Sequence, residues 1–237
     1  MPPADPYAAS LAELSGSTVR LVAAVRALDD AALREPSLLP GWTRGHVVTH
    51  LARNADGLVN LATWARTGVE TPMYPGGRAA RDAEIERDAG RPASEQVADT
   101  EAASERLAAA LADLPAGALG VELRLGSGAT VPAAGLPLRR IREVEIHLVD
   151  LAAAYHPADW SLAFAERTLA ELTPSIGGSP VGVLRDPDTG RSWALAPDRP
   201  VLTGPAQDLL GWLVGRSDGT GLSFDGTGSV PSAPPWQ

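Results

Sequence analysis

GWTRGHVVTHLARNADGLVNLATWARTG, residues 41–68, decides the fold. Thr43 is a natural N-cap, and Gly68 stands where a left-handed residue would end a helix. Between them, Val47, Leu51, Ala55, Leu58 and Ala62 fall on one arc of a 3.6-residue wheel, so the stretch reads as one long amphipathic helix. His50 sits at the margin of that arc beside Asn54 and Leu61. His46 lies about 40° further toward solvent, in the first turn.

Helical periodicity extends outward on both sides. Leu11, Leu14, Leu21, Val22, Val25 and Leu28 mark a helix over Tyr7 to Asp30, which Pro36 and Pro40 interrupt. Residues 70–92 carry three prolines and three glycines among charges and read as a long loop. A further helix is expected from Pro92 to Leu114. VELRLGSGATVPA (121–133) alternates around Gly126-Ser127-Gly128 and reads as a hairpin, with nothing resembling a phosphate loop. A last long helix is expected from Leu136 to Tyr155, with Ile141, Val144, Leu148, Leu151 and Ala152 inward. Four such helices fit a bundle.

Beyond about residue 160 the pattern changes. A helix at Leu162–Leu172 is followed by the strand-like runs 181–185, 192–196 and 200–203, a helix opened by Pro205, and a last run at 221–224. The expected division is a helical domain over 1–158 and a small α/β domain over 159–237. No internal repeat is present.

Composition narrows the function. The 237 residues carry 29 acidic against 20 basic side chains, a net charge of −9, which argues against a nucleic-acid partner or an anionic membrane surface. There is no cysteine, so neither a disulfide, a thiolate metal site nor a protein thiol nucleophile is available. MPPADPYAAS lacks the basic and apolar regions of a signal peptide, and no apolar run is long enough to span a bilayer. A soluble, cytoplasmic protein is expected.

Two histidine-bearing pairs stand out. His46 and His50 are four apart on one helix; Glu143 and His147 are four apart on another. Side chains at that spacing lie one turn apart on one face and can reach a common ion. Facing helices in a bundle build metal sites in this way, and three N/O ligands with an open position suit catalytic zinc. The wheel selects His50 over His46, leaving His46 in an outer shell or at the surface. Asp150 shares a stripe with Glu143 and His147 and can orient the His147 ring. Each pair alone is more often a surface or capping arrangement than a metal site, and no H-E-x-x-H motif is present.

The segments 41–74, REVEIHLVDL (142–151), WLVGRSDG (212–219) and the closing proline-tryptophan tail closely resemble the mycothiol-dependent maleylpyruvate isomerases. GWT followed by H-x3-H is shared by the wider DinB-like metal-dependent family. The ETPMY loop, the E-x3-H pair and GRSDG are more specific. The resemblance implies an α+β, multidomain fold, with an N-terminal DinB-like four-helix bundle and a smaller C-terminal α/β domain folded over the metal mouth. It implies zinc on His50, Glu143 and His147, and mycothiol as the external thiol. It further implies an active-site role for Arg216 and conversion of maleylpyruvate to fumarylpyruvate in the gentisate pathway.

That chemistry agrees with the missing cysteine. A thiolate adds to the enedione, the resulting single bond rotates, and elimination returns the trans isomer. Arg216 is the leading grip for the substrate's carboxylates, with its own helix-end carbonyls as the alternative partners. Arg78 and Arg81 are weaker substrate-binding candidates, both otherwise exposed loop charges. Met73 and Tyr74 line a pocket or plug an interface, and Trp42, Trp64 and Trp212 are expected in the core. The alternatives are another mycothiol-dependent S-transfer or detoxification reaction and, further off, a non-catalytic metal-binding protein. The expected partners are small molecules, and a monomer is favoured.

Overall fold

A computed structural model describes residues 5–234; the proline-tryptophan pair at 235–236 lies outside them. The chain divides into two units, Met1–Ala152 and Ala153–Gln237. The fold is helix-dominated α+β with small sheets. Among the described residues no helix is long and apolar enough to cross a membrane.

The first unit contains α1 (Pro6–Arg26), α2 (Asp30–Arg34), α3 (Arg44–Thr67), α4 (Gly77–Asp88), α5 (Ala93–Ala112), the strands β1 (Glu122–Arg124) and β2 (Thr130–Pro132), and α6 (Leu136–Asp150). Helix α3 packs against α5 and α6, and α1 against the same two. Leu21 and Val25 of α1, Val47, Leu51 and Leu58 of α3, Leu107 and Leu111 of α5, and Ile141, Val144 and Leu148 of α6 are buried there. Those residues recur at spacings of three, four or seven positions, so each helix removes one apolar face from water.

The ends of α3 follow from its terminal residues. The Thr43 hydroxyl accepts from the His46 backbone N–H while the His46 ring accepts from the Thr43 N–H, which satisfies two otherwise orphaned donors. At the other end Gly68 takes φ 73° and donates to the Trp64 carbonyl. The hairpin pairs antiparallel, with Leu123 opposite Val131, both buried.

Three expectations need correction. Residues 70–92 are not a continuous loop, because α4 occupies Gly77–Asp88. Only Ile85 of this helix is buried, so it has almost no apolar periodicity to read, and its glycine is the first residue rather than an interior breaker. The helix expected to reach Asp30 ends at Arg26, and α2 starts separately under an Asp29 cap. The helix expected to reach Tyr155 ends at Asp150, with Ala152 at φ 50° turning the chain away.

The second unit contains α7 (Leu162–Leu172), β3 (Val183–Arg185), β4 (Ser192–Ala194), β5 (Val201–Thr203), α8 (Ala206–Leu213) and β6 (Ser223–Phe224). The sheet order is β4-β3-β5-β6, with β3 and β5 parallel and the outer pairings antiparallel. Helices α7 and α8 pack on each other, and Phe164, Leu169, Leu209 and Trp212 are buried. Buried Asp186 ties the strands to a helix: it accepts from the backbone of Asp188 and Thr189 in its own turn and from Ala206 at the start of α8.

Candidate metal centre

Helices α3 and α6 bring three ligand-type atoms to one point. His50 Nε2 lies 3.1 Å from His147 Nε2 and 3.2 Å from Glu143 Oε2, and His147 Nε2 lies 3.8 Å from Glu143 Oε2. Two nitrogens and an oxygen bound to one tetrahedral ion at about 2.05 Å stand about 3.3 Å apart. The observed separations bracket that value. Among the described residues this is the one group of three or more histidine and carboxylate side chains converging in this way. The donor set therefore fits a divalent cation.

Burial and charge prepare these groups. His50 is buried, and its ring pKa is pushed down to about 4, mainly by loss of solvent and further by the nearby His147 and Arg81 charges. A neutral imidazole is the form that binds metal. Burial alone would raise the Glu143 carboxyl, but the His50 hydrogen bond and the nearby Arg142 charge hold it well below the usual carboxylate range.

The surrounding side chains fix each ligand's orientation. The Asp150 side chain, fully removed from solvent, places Oδ2 2.7 Å from His147 Nδ1. A carboxylate there puts the ring proton on Nδ1 and leaves Nε2 bare. Arg81, on α4, approaches His50 from the opposite side, with Nη2 3.0 Å from Nδ1. Its other terminal nitrogen pairs with Asp82, and its guanidinium carbon lies 5.4 Å from the centre of the Tyr74 ring. Arg81 is thus a helix residue with 15% of its side chain exposed, not an exposed loop charge. His46 stands apart from the cluster. Its ring is engaged by the Thr43 cap, by Glu86 Oε2 at 3.2 Å and by stacking on Trp42. Trp42 also tilts against His50, with ring centres 5.7 Å apart.

Two contributors escaped the sequence reading. Arg140 is buried on α6, and its Nη1 donates to the Leu51 carbonyl at 2.8 Å and to Asn54 Oδ1 at 2.9 Å. It bridges α6 to α3 one turn from the ligands. Burial lowers its pKa to about 10, so it remains charged at neutral pH beside Glu143. The signal was present: Arg140, Val144 and His147 share one helical stripe. The second is the seat of Tyr74. A Cβ on Gly57 of α3, or on Gly126 in the hairpin turn, would come within 2.9 Å of its ring, so the ring fits a slot between two glycines. Burial raises its phenol pKa, and Arg81, Glu143 and Asn54 are its polar neighbours.

Arg216 belongs to the second unit. It follows Gly215 (φ 71°), and its N–H donates to the Gly211 carbonyl while that of Gly215 donates to Trp212, a Schellman turn closing α8. One guanidinium nitrogen donates to the Val214 carbonyl at 2.6 Å.

A family model described as the mycothiol maleylpyruvate isomerase N-terminal domain matches residues 14–152, more than half of the chain. The chain belongs to the mycothiol maleylpyruvate isomerase family. Two crystal structures in this family, one of a mycothiol-dependent maleylpyruvate isomerase and one of a histidine-to-alanine mutant of that enzyme, share 32% identity with it. Each superposes with a TM-score of 0.91 over 98% of both chains. No curated protein sequence matches it significantly. The family match spans α3 and α6, the two helices that carry the cluster.

Proposed function

We propose that the protein catalyses the mycothiol-dependent cis–trans isomerisation of maleylpyruvate to fumarylpyruvate, a step of gentisate breakdown in the cytoplasm. Zinc is held by His50, Glu143 and His147 within a DinB-like four-helix bundle, residues 1–158, and residues 159–237 form the α/β domain that supplies Arg216. The observation that carries this reading is the likeness over 98% of both chains to a mycothiol-dependent maleylpyruvate isomerase. The donor set and the absence of cysteine agree with it.

The reaction needs a thiolate, and the chain has none of its own. When bound, a divalent cation supplies the positive charge that keeps an external thiol ionised near neutral pH. Mycothiol would supply that thiolate: conjugate addition to one alkene carbon would move the π pair onto the conjugated carbonyl, leave the former double bond free to rotate, and be reversed by return of that pair as the carbon–sulfur bond breaks, with no net redox change. Asp150 holds the His147 ring by its Nδ1 proton, and Arg140 fixes the spacing of α3 and α6 from one turn away. Arg81 and Arg216 bring positive charge to a dianionic substrate, and a guanidinium can grip a carboxylate with two parallel hydrogen bonds.

The test is direct. Purified, zinc-loaded protein is mixed with maleylpyruvate, with and without mycothiol, and fumarylpyruvate is followed. Thiol-dependent conversion is expected. No conversion with zinc bound would overturn the isomerase reading and favour S-transfer to another electrophile.

A further inference from the structure

We infer that Arg81 and a divalent cation compete for His50, so that metal loading releases the Arg81 guanidinium to bind a carboxylate beside the site. The inference rests on the metal reading above and assigns Arg81 a role in setting metal affinity.

A guanidinium has five donors and no acceptor. With Arg81 Nη2 3.0 Å away, His50 Nδ1 accepts and bears no proton. A neutral His50 ring then carries its proton on Nε2, the nitrogen that faces Glu143 and His147. The network closes consistently. The Asp150 carboxylate accepts a hydrogen bond from His147 Nδ1–H, which leaves His147 Nε2 bare, and His50 Nε2–H has Glu143 Oε2 and His147 Nε2 as acceptors.

A cation cannot share this arrangement. It needs the Nε2 lone pair of His50, so the ring proton must shift to Nδ1, with no net proton released. Nδ1–H then faces the Arg81 N–H, donor against donor. Charge repulsion between a dication and a guanidinium acts in the same direction. The two histidines are therefore held differently: a carboxylate presets His147 for metal, and an arginine holds His50 against it.

Once displaced, Arg81 has reason to stay nearby. The Tyr74 ring lies beneath its guanidinium, and a cation over an aromatic face is attracted to it. Arg81 Nε is buried without a hydrogen-bond partner, and release from His50 frees Nη2 as well. Nε and Nη2 lie on one edge of the guanidinium and together match the two oxygens of a carboxylate. Metal occupancy and anion binding are thereby linked, and the coupling is reciprocal.

The experiment measures zinc affinity of the full chain by competition with a chromophoric chelator. Arg81→Met should bind zinc about tenfold more tightly than the wild type, since outer-shell partners shift metal affinity by about 10–100-fold. Arg81→Gln should bind at least as tightly, because its amide oxygen can accept from Nδ1–H. Equal or weaker binding by both variants would overturn the competition, whereas no binding by any of the proteins would overturn the metal reading itself. Nitrogen-15 shifts of the His50 ring in the wild type give a measurement free of mutation: the proton should sit on Nε2 before zinc and on Nδ1 after it. A ring already protonated at Nδ1 before zinc would also overturn the competition. Maleate, a cis-dicarboxylate probe, should bind zinc-loaded wild type more tightly than zinc-loaded Arg81→Met; equal affinities would overturn the anion-binding half.

Discussion

The two units use buried polar side chains for different ends. In the first, such groups reach between helices far apart in sequence. Arg140 of α6 meets Leu51 and Asn54 of α3, Glu145 of α6 receives Ser17 and Arg20 of α1, and His50 meets Glu143 and His147. In the second, Asp186 and Ser179 serve backbone N–H groups. Asp186 closes its own turn and caps α8, and Ser179 accepts from Val181 N–H two residues on. Buried polar atoms must find partners in both cases. Among the described residues, only those of the first unit converge on a point where a further atom can be held. Long helices make this possible, because they fix side chains from distant segments within a few tenths of an ångström.

The largest effect should come from breaking the convergence. Replacing His50, Glu143 or His147 by Ala should abolish stoichiometric zinc, measured by elemental analysis, together with thiol-dependent turnover. A metal-free variant of this kind that kept full turnover would show that the convergent cluster has no part in the reaction. The second unit should behave in the opposite manner. Arg216→Ala should keep wild-type zinc content while kcat/KM for maleylpyruvate falls about 100-fold, the scale of losing a charge-assisted pair worth about 3 kcal/mol. If kcat/KM is unchanged, Arg216 serves only its helix end, and the reading moves toward S-transfer.

A matched pair of aspartates sharpens the contrast. Asp150 and Asp186 are both buried. Asp150→Asn loses the carboxylate that orients His147 and should weaken zinc binding by about 10–100-fold. Asp186→Asn should leave zinc affinity unchanged and lower the thermal midpoint instead, because an amide serves the three backbone donors less well. Equal effects of both variants on zinc affinity would show that the distinction between convergent and local polar groups is false.

What could be read from sequence follows the same division. Helix α3 was legible to the residue because its caps are local, with Thr43 bonding three positions on and Gly68 four positions back. Glu143, His147 and Asp150 were legible as one stripe because a single helix fixes their spacing. Helix α4 was not, since a helix with one buried residue carries no periodic signal. Arg81 could therefore be placed only in a loop, and its approach to His50 links positions 31 apart on different helices. Arg140 was within reach. Its stripe was visible, but a charged residue beside Arg139 reads as solvated unless the wheel is followed through.

The smallest predicted effect separates two histidines four residues apart. His46 and His50 lie on one helix and both contact Trp42, yet only His50 meets the cluster. His46→Ala removes the ring that accepts from the Thr43 N–H, as well as the contact with Glu86. The Glu86 carboxylate is 80% exposed, so that contact adds little. The loss should be that of half a capping box, about 1 kcal/mol in urea unfolding. Thr43→Ala removes the reciprocal half and should cost about the same amount. Because the two halves share one cap, the double variant should cost less than the sum of the singles. Zinc affinity of His46→Ala should stay within about twofold of wild type, far from the roughly 10–100-fold reserved for an oriented outer-shell partner. A loss as large as that of His50→Ala would mean that the first turn of α3 belongs to the metal site, and that the boundary between cap and cluster has been drawn one turn too late.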